Sequence, residues 1–456
     1  MSDKSLEGFH KIHMVGAAGA GMSGLAKLLA GLGYDVTGSD LKPGRVLDAL
    51  QDIGIETWVG HRPEAMAEPD LVVSSSAVPA RDPELRAAVE HGVVVWERPA
   101  LLDAFTSKMP GIGITGTHGK TTTTGLVVAA LHGAGLDPSF LVGGELVAQN
   151  TFAHLGDTDL FVLEADEAFG TFRHLHLNGL LVTNIEADHL DFYKTLAALE
   201  EAFALVANRT NGPVVGCIDD PGVQRLAQRA DVITYGRSQA ATWQLHDVVH
   251  GIGEISFRLE GRGHTVDVTV PRPGVHIALD AAGAIAFLAE LGHDPHKSAA
   301  GIAAFGGVRR RFETRARIAG VTVVDDYAHH PTEVGATIDA GRLGGWQRVW
   351  AVFQPHRYTR TAALGPAFGE PLASADKVIV TDVYSAGEAP QPGVTGRLVA
   401  EAVSAAGGDV RYIPSIRDVA AAIVPELADG DVVLLLGAGD VNSIADEIAA
   451  TLGGQS

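Results

Sequence analysis

"GIGITGTHGKTTTTGLVVAALHGAG" occupies residues 111–135 and decides the fold class. An apolar run from Gly111 to Thr115 reads as a strand, a Gly-rich turn follows, and Thr122 to Thr124 begin a helix continued by Leu126, Val127, Ala130 and Leu131. Strand, tight turn and helix N-terminus form an anion cradle, because the first N–H groups of a helix lack intrahelical partners and point at the ligand. The stretch does not fit the general spacing G-x-x-x-x-G-K-[ST]. Counting back from Gly119, the first glycine falls on Ile114, with Gly113 and Gly116 to either side. The physical parts are all present nonetheless. Lys120 is placed to reach β/γ-phosphates and the Thr121 hydroxyl to bind Mg²⁺. A Thr-capped helix behind a buried strand is the plain structural alternative.

Outward from this stretch, strand-length apolar runs alternate with amphipathic segments: "KIHMVG", "YDVTGSD", "LVVSSS" and "VVVWE" before it, "LFVLEAD", "LLVTNIE", "VVGCID" and "VITYG" after it. That alternation is the α/β signature. The first run enters a Gly-rich turn, "VGAAGAGMSGLAKLLAGLG", and the next strand ends in Asp40, the pattern of a nucleotide-binding βαβ unit. A purely structural turn is the alternative there. "ISFRLEGRGHTVDVTVPRPG" alternates as antiparallel strands, "VHIALDAAGAIAFLAELG" reads as a helix, and a third set of strands runs from "GVTVVDDYAHH" to "DVVLLLGAGDVNS". The expected architecture is α/β with three domains: a Rossmann-like domain over 1–107, a central P-loop ATPase-type domain over 108–312 with a mainly parallel sheet plus a small antiparallel one, and a second Rossmann-like domain over 313–456.

Composition sets the outer limits. The chain has 456 residues, 46% hydrophobic and 20% charged, enough for two or three cores. One cysteine, Cys217, leaves no internal disulfide and suits a reducing cytosol, and "MSDKSLEGFHKIHMVG" lacks the apolar stretch of a secretory signal. No uncharged apolar run reaches the ~18 residues of a membrane span. A cytoplasmic protein without membrane insertion is expected. A formal charge of −21 argues against nucleic-acid binding, so anionic ligands must be met by local Lys, Arg, metals and helix N-termini.

In open parallel sheets ligands collect beyond the carboxyl ends of the strands, so polar clusters following apolar runs carry most weight. "LFVLEADE" ends in Glu164, Asp166 and Glu167, and "LLVTNIEADHLD" in Asn184, Glu186, Asp188, His189 and Asp191. These are carboxylates and an imidazole suited to two metal positions. "FGGVRRRFE" sets Arg309, Arg310 and Arg311 at the second boundary, and "VVDDYAHHPTE" with "VFQPHRYTRT" bring Asp326, Tyr327, His329, His330, His356, Arg357 and Arg360 to strand ends of the last domain. Together they describe an inter-domain site. One phosphate loop, metal-binding carboxylates and arginines on another domain suit phosphoryl transfer, which demands chiefly positioning and charge neutralisation. No Ser-His-Asp arrangement is evident.

These motifs resemble the Mur ligases over nearly the full length. "TGTHGKTTT" is Thr115 to Thr123, "NIEADHLD" Asn184 to Asp191, "RRF" Arg310 to Phe312, "DDYAHHPTE" Asp325 to Glu333, and "FQPHRYTRT" Phe353 to Thr361. The resemblance implies that ATP, with Mg²⁺, phosphorylates the lactyl carboxylate of UDP-N-acetylmuramate and that the amine of L-alanine then attacks the acyl phosphate. It implies ATP contacts at Gly116, Thr117, His118, Gly119, Lys120, Thr121, Thr122, Asn184, Asp280 and Arg310, and metal ligation by Thr121, Glu164 and His189. The nucleotide-sugar falls to Gly16, Gly19, Gly21, Met22, Ser39, Asp40, His61, Ser75, Ser76, Ala77, Glu167 and Phe169. Tyr327, His329, His356, Arg357 and Arg360 face the amino acid, the phosphates and the developing charge. A monomer or weak homodimer is expected. Three departures stand out: Ala18 replaces a glycine, tolerable at negative φ; Ala168 and Phe169 replace a hydroxyl and a carboxylate, with Thr171 nearby; and Asp280 replaces an asparagine. A ligase that attaches a recovered tripeptide to the same sugar is the neighbouring alternative. A nicotinamide oxidoreductase is the alternative from another class, and it leaves the second phosphate loop unused.

Overall fold

A computed structural model describes residues 4–454. The chain divides into two compact units. One comprises the chain up to Leu245 with Leu259–Val266 and Asp280–Phe305; the other comprises His246–Arg258, Asp267–Leu279 and the chain from Gly306 onward.

The first unit opens with β1 (Lys11–Val15), β2 (Asp35–Asp40), β3 (Glu56–Val59), β4 (Leu71–Ser74) and β5 (Val94–Glu97), all parallel in the order β3-β2-β1-β4-β5. The order reverses between β1 and β4, so the carboxyl ends of these two strands open onto a crevice. A second sheet follows, built from β6 (Gly111–Thr115), β7 (Ser139–Leu146), β8 (Thr151–His154), β9 (Phe161–Glu164), β10 (Leu177–Val182), β11 (Val214–Cys217), β12 (Ile233–Gly236), β13 (Trp243–Gly251), β14 (Glu254–Gly261) and β15 (His264–Val270). Its order is β15-β14-β13-β12-β11-β10-β6-β9-β7-β8. Central β6 is buried throughout, as a parallel strand with both faces covered must be, which is why its sequence is a continuous small-apolar run. β14 and β15 alternate in burial, as expected of antiparallel strands with one covered face. The ends of β13–β15 are shared out between the two units.

Within the first unit the helix Ala20–Gly31 packs on β7 and β8, so a Cβ on Gly24 would press into Leu141 and Ala153. One hydrophobic core therefore runs from Ile12 and Leu25 to Phe161 and Phe203. Four of these strands escape the sequence pattern. β3 is only four residues long, β7 and β8 are interrupted by "GGELVAQN", and β13 is broken by polar residues with Asp247 at φ 55°.

The second unit carries β16 (Glu313–Ile318), β17 (Val321–Asp326), β18 (Arg348–Phe353), β19 (Lys377–Val380), β20 (Val410–Tyr412) and β21 (Asp431–Leu436), in the order β16-β17-β21-β18-β19-β20. Only β16 is antiparallel to its neighbour. Apolar cores cover both faces of this sheet.

Candidate active site

β6 delivers the chain into a turn of left-handed glycines, Gly116 at φ 132° and Gly119 at φ 84°, before the helix Lys120–Gly133. A Cβ on Gly116 would stand 2.1 Å from the Thr183 hydroxyl, so the turn is pressed onto the end of β10 and requires glycine there. The same strand end fastens the loop. The His118 N–H donates to Asn184 Oδ1 at 2.8 Å, Asn184 Nδ2 donates to the His118 carbonyl at 3.1 Å, and the Thr183 hydroxyl donates to that carbonyl at 2.6 Å. The Glu186 N–H donates to the Thr117 hydroxyl at 2.8 Å. Asn184, expected at the nucleotide, is thus engaged on both sides of its amide in shaping the loop. Asp280 lies against the turn, its carboxylate 3.0 Å from a Cβ built on Gly119. Thr121 and Thr122 are buried at the start of the helix.

Lys120 folds back into this cradle. Its ammonium donates to the Gly116 carbonyl at 2.6 Å and to both oxygens of Glu167 at 2.9 Å, with Asp166 at 3.7 Å. Burial alone would lower its pKa, but the carboxylates of Glu167 and Asp166 outweigh burial and hold it above the ordinary range. Glu167, which the resemblance assigns to the nucleotide-sugar, is the buried counter-ion of Lys120.

His189 sits at φ 53° with Nε2 3.8 Å from Glu167. Asp166, Glu167 and His189 each offer a ligand atom within 4.8 Å of the others. Two carboxylates and an imidazole, beside a phosphate loop, fit a divalent cation that takes its remaining ligands from water and phosphate. Of the metal ligands read from sequence, His189 joins this cluster. Glu164 stands apart, accepting the Gly143 N–H at 2.6 Å. The side chain of Asp191 lies outside the described residues.

Next to this cluster Phe169 holds φ 53° and ψ 18°, with its ring 67% exposed and T-shaped on Phe192 at 6.1 Å. A bulky residue in the left-handed region is strained by ~1 kcal/mol or more. The Thr171 hydroxyl donates to the Ala168 carbonyl at 3.1 Å, so it can only accept from a ligand.

At the crevice of the first sheet a cavity of about 360 Å³ is lined by Gly16, Gly19, Ser39, Asp40, His61, Ser75, Ala77 and Asp82, among others. The sequence placed seven of these there. Ser76 and Gly21 are not in the lining, and Met22 is a correction: as an apolar side chain on the inner face of its helix it is buried in the core. Asp40 accepts the Ala18 N–H at 3.1 Å and so braces the glycine turn, and Ala18 is not among the left-handed residues. Beneath the cavity Glu84 is fully buried, accepting from the Ser39 hydroxyl at 2.5 Å, the Trp58 indole at 2.9 Å and the Arg62 N–H at 2.8 Å, with His13 Nε2 at 3.6 Å.

In the second unit the end of β17 brings Tyr327 under two guanidinium groups, Arg310 at 4.9 Å and Arg311 at 5.1 Å from the ring centre. Arg310, at φ 60°, also donates to the carbonyls of Gly437 and Gly439 at 2.7 and 3.1 Å. His329 is edge-on to Tyr327 and to His356, which stacks on Tyr384 at 5.7 Å. Burial lowers the pKa of His329 and pushes that of His356 down to about 4, so both imidazoles are neutral at pH 7. Arg357 adopts φ 69° with its N–H on the Tyr384 carbonyl at 2.8 Å, and the charge of Arg360 bears on both His329 and His356. Tyr384, missed in the sequence, follows β19 in "VYSAGE" and the strand-end rule could have marked it. Burial pushes Asp325 and Asp326 up to about 6, with Arg310 and Arg311 respectively pulling the other way.

Family models match in chain order: "Mur ligase family, catalytic domain" over residues 11–109, "Mur ligase middle domain" over 114–288, and "Mur ligase, glutamate ligase domain" over 310–439. The chain belongs to the Mur ligase family. Among Mur ligases it is 44% identical to the UDP-N-acetylmuramate–L-alanine ligase of Kineococcus radiotolerans, over 96% of this chain and 95% of that one. It is 42% identical to the ligase of the same name from Cutibacterium acnes, over 98% and 96%. The crystal structure of UDP-N-acetylmuramate-alanine ligase from Thermotoga maritima superposes with a TM-score of 0.82 at 27% identity, covering 98% of this chain and all of that one. A murein peptide ligase from Psychrobacter arcticus shares the Mur ligase fold at a TM-score of 0.67 and 24% identity.

Proposed function

We propose that this chain is an ATP-dependent ligase that joins L-alanine to the lactyl carboxylate of UDP-N-acetylmuramate, forming ADP and phosphate in peptidoglycan precursor synthesis. Near-complete coverage of ligases of that name at 44% identity carries the reading. The Lys120 cradle and the Arg310–Tyr327–His356 cluster supply the chemistry it needs. The lactyl carboxylate attacks the γ-phosphorus of ATP and ADP departs. The alanine amine then adds to the acyl-phosphate carbonyl, and the tetrahedral adduct expels phosphate. The Lys120 ammonium, turning from Glu167 to the phosphates, offsets charge on the transferring group. Asp166, Glu167 and His189, with the Thr121 hydroxyl, are the residues that would hold Mg²⁺, which when bound neutralises the β- and γ-oxygens. Neutral His329 and His356 add no positive charge against the alanine ammonium, and a free α-amino group titrates near ~8, so delivery of a neutral amine needs little help. Nucleotide substrates and the lone cysteine suit the cytoplasm, and no helix among the described residues is long and apolar enough to cross a membrane.

The test is phosphate release from ATP with UDP-N-acetylmuramate and a panel of amines. Turnover with L-alanine is expected. Turnover with a tripeptide alone would transfer the assignment to the recycling ligase.

Two further outcomes follow from the site. Asp166→Asn and His189→Ala should each raise the Mg²⁺ concentration for half-maximal rate several-fold, and Glu164→Gln should change it less. An identical Mg²⁺ dependence in all three variants would remove the cation from this cluster. Phe169→Ala should raise the KM for UDP-N-acetylmuramate by the equivalent of ~1–3 kcal/mol of lost apolar contact and leave the KM for ATP within twofold. An unchanged sugar KM would show that the exposed ring does not meet the substrate.

A further inference from the structure

Arg98 opens the helix Arg98–Lys108 directly after β5, and nothing in the sequence marked it. Its guanidinium lies flat against the first turn of the helix Ala20–Gly31. A Cβ built on Gly21 would stand 2.8 Å from Cζ and Nη2 and 2.9 Å from Nε. Burial lowers its pKa, and the charges of Asp166 and Glu164 act on it in the opposite sense, favouring the cation. Arg98 thus touches the helix that follows the turn lining the nucleotide-sugar cavity and feels the charge of carboxylates that also act on Lys120. Its Nε is buried and has no hydrogen-bond partner among the described residues.

A guanidinium has donors only, and a buried donor left unmet costs ~1–3 kcal/mol, so this group is built to receive an acceptor. We propose that Arg98 binds an anionic oxygen of the acyl-donor substrate, holding the nucleotide-sugar on its way from the crevice to Lys120. With one face of the guanidinium covered by Gly21 and Nε buried, its terminal N–H groups remain to meet the ligand. Planar, edge-on recognition of phosphate or carboxylate is the geometry at which arginine exceeds lysine. Gly21 is then explained as well. It does not line the cavity; its missing side chain is the space the guanidinium occupies.

The inference rests on the nucleotide-sugar reading, and the ligand oxygen belongs either to the diphosphate or to the lactyl carboxylate. Calorimetric titration of UDP, UDP-N-acetylmuramate and a non-hydrolysable ATP analogue into wild type, Arg98→Met and Gly21→Ala separates these cases. Arg98→Met keeps the apolar stem in place. Gly21→Ala keeps Arg98 but displaces the mobile end of its side chain, so the two variants perturb one contact by different routes. Both should bind UDP-N-acetylmuramate about 30-fold more weakly, the loss of one charge-assisted hydrogen bond, with the ATP analogue and the melting temperature nearly unchanged. If UDP weakens in parallel, Arg98 meets the diphosphate; if UDP binding holds, it meets the carboxylate. Unchanged UDP-N-acetylmuramate affinity in both variants overturns the proposal, and so does an equal loss for the ATP analogue, which would mark Arg98 as structural. A wild type that binds neither UDP compound would overturn the substrate reading itself.

Discussion

Lys120→Ala is expected to reduce phosphate release at least ~100-fold. In the proposed reaction the ammonium supplies a charge-assisted contact to the transferring phosphates, and removing one such donor from a pre-organised site costs ~3 kcal/mol or more in the transition state. The fold should persist. Of the carboxylates around Lys120 only Glu167 is buried, and once its counter-ion is gone it can take up a proton and stay buried as a neutral acid. UDP-N-acetylmuramate should therefore still bind while turnover collapses. Turnover within a few-fold of wild type would take the phosphate grip away from this loop.

Glu84 is expected to be among the costliest single positions in the fold. Burial pushes its pKa up, but His13, Ser39, the Arg62 N–H and Trp58 together outweigh burial and bring it down to about 2 from an ordinary 4.5. A depression of that size corresponds to ~3 kcal/mol favouring the folded state, in proportion to the shift between folded and unfolded chain. Because the folded pKa is the lower one, this stability is fully present above pH ~4.5 and fades as the pH falls towards 2. Glu84→Gln should lower the urea midpoint at pH 7 by the equivalent of ~3 kcal/mol, with the gap to wild type narrowing at pH 3. A gap independent of pH would mean that the charge is not what holds the site. Ser39 and the loop carrying His61 are fastened to this carboxylate, so the KM for the nucleotide-sugar should rise in the same variant with that for ATP little changed.

The phosphate loop, the crevice of the first sheet and the strand-end clusters of the second unit were all readable because each is written locally, as an apolar run followed by polar residues. The partners that finish these sites are not local. Glu84 reaches Ser39 across 45 residues and Lys120 meets Glu167 across 47, so no spacing rule connects them. Met22 misleads for the opposite reason. It follows a glycine turn that faces ligand, yet helical geometry swings it inward within one residue. Asn184 shows that identity does not fix use, since an amide able to meet a nucleotide is taken up by the His118 backbone. Arg98 carries no motif, and only the packing of two helices shows what it faces.

Phe169 has a consequence for engineering this chain to withstand heat. Residues in the left-handed region are places where glycine relieves steric strain, partly offset by the freedom it adds to the unfolded chain. Ala319, at φ 48° in the exposed turn between β16 and β17, can be exchanged for glycine with only that balance at stake. The same exchange at Phe169 would relax the backbone and discard the exposed ring that stands on Phe192. On the role proposed for this ring, thermal resistance and hold on the sugar pull one residue in opposite directions, and a screen for melting temperature alone would select against substrate binding.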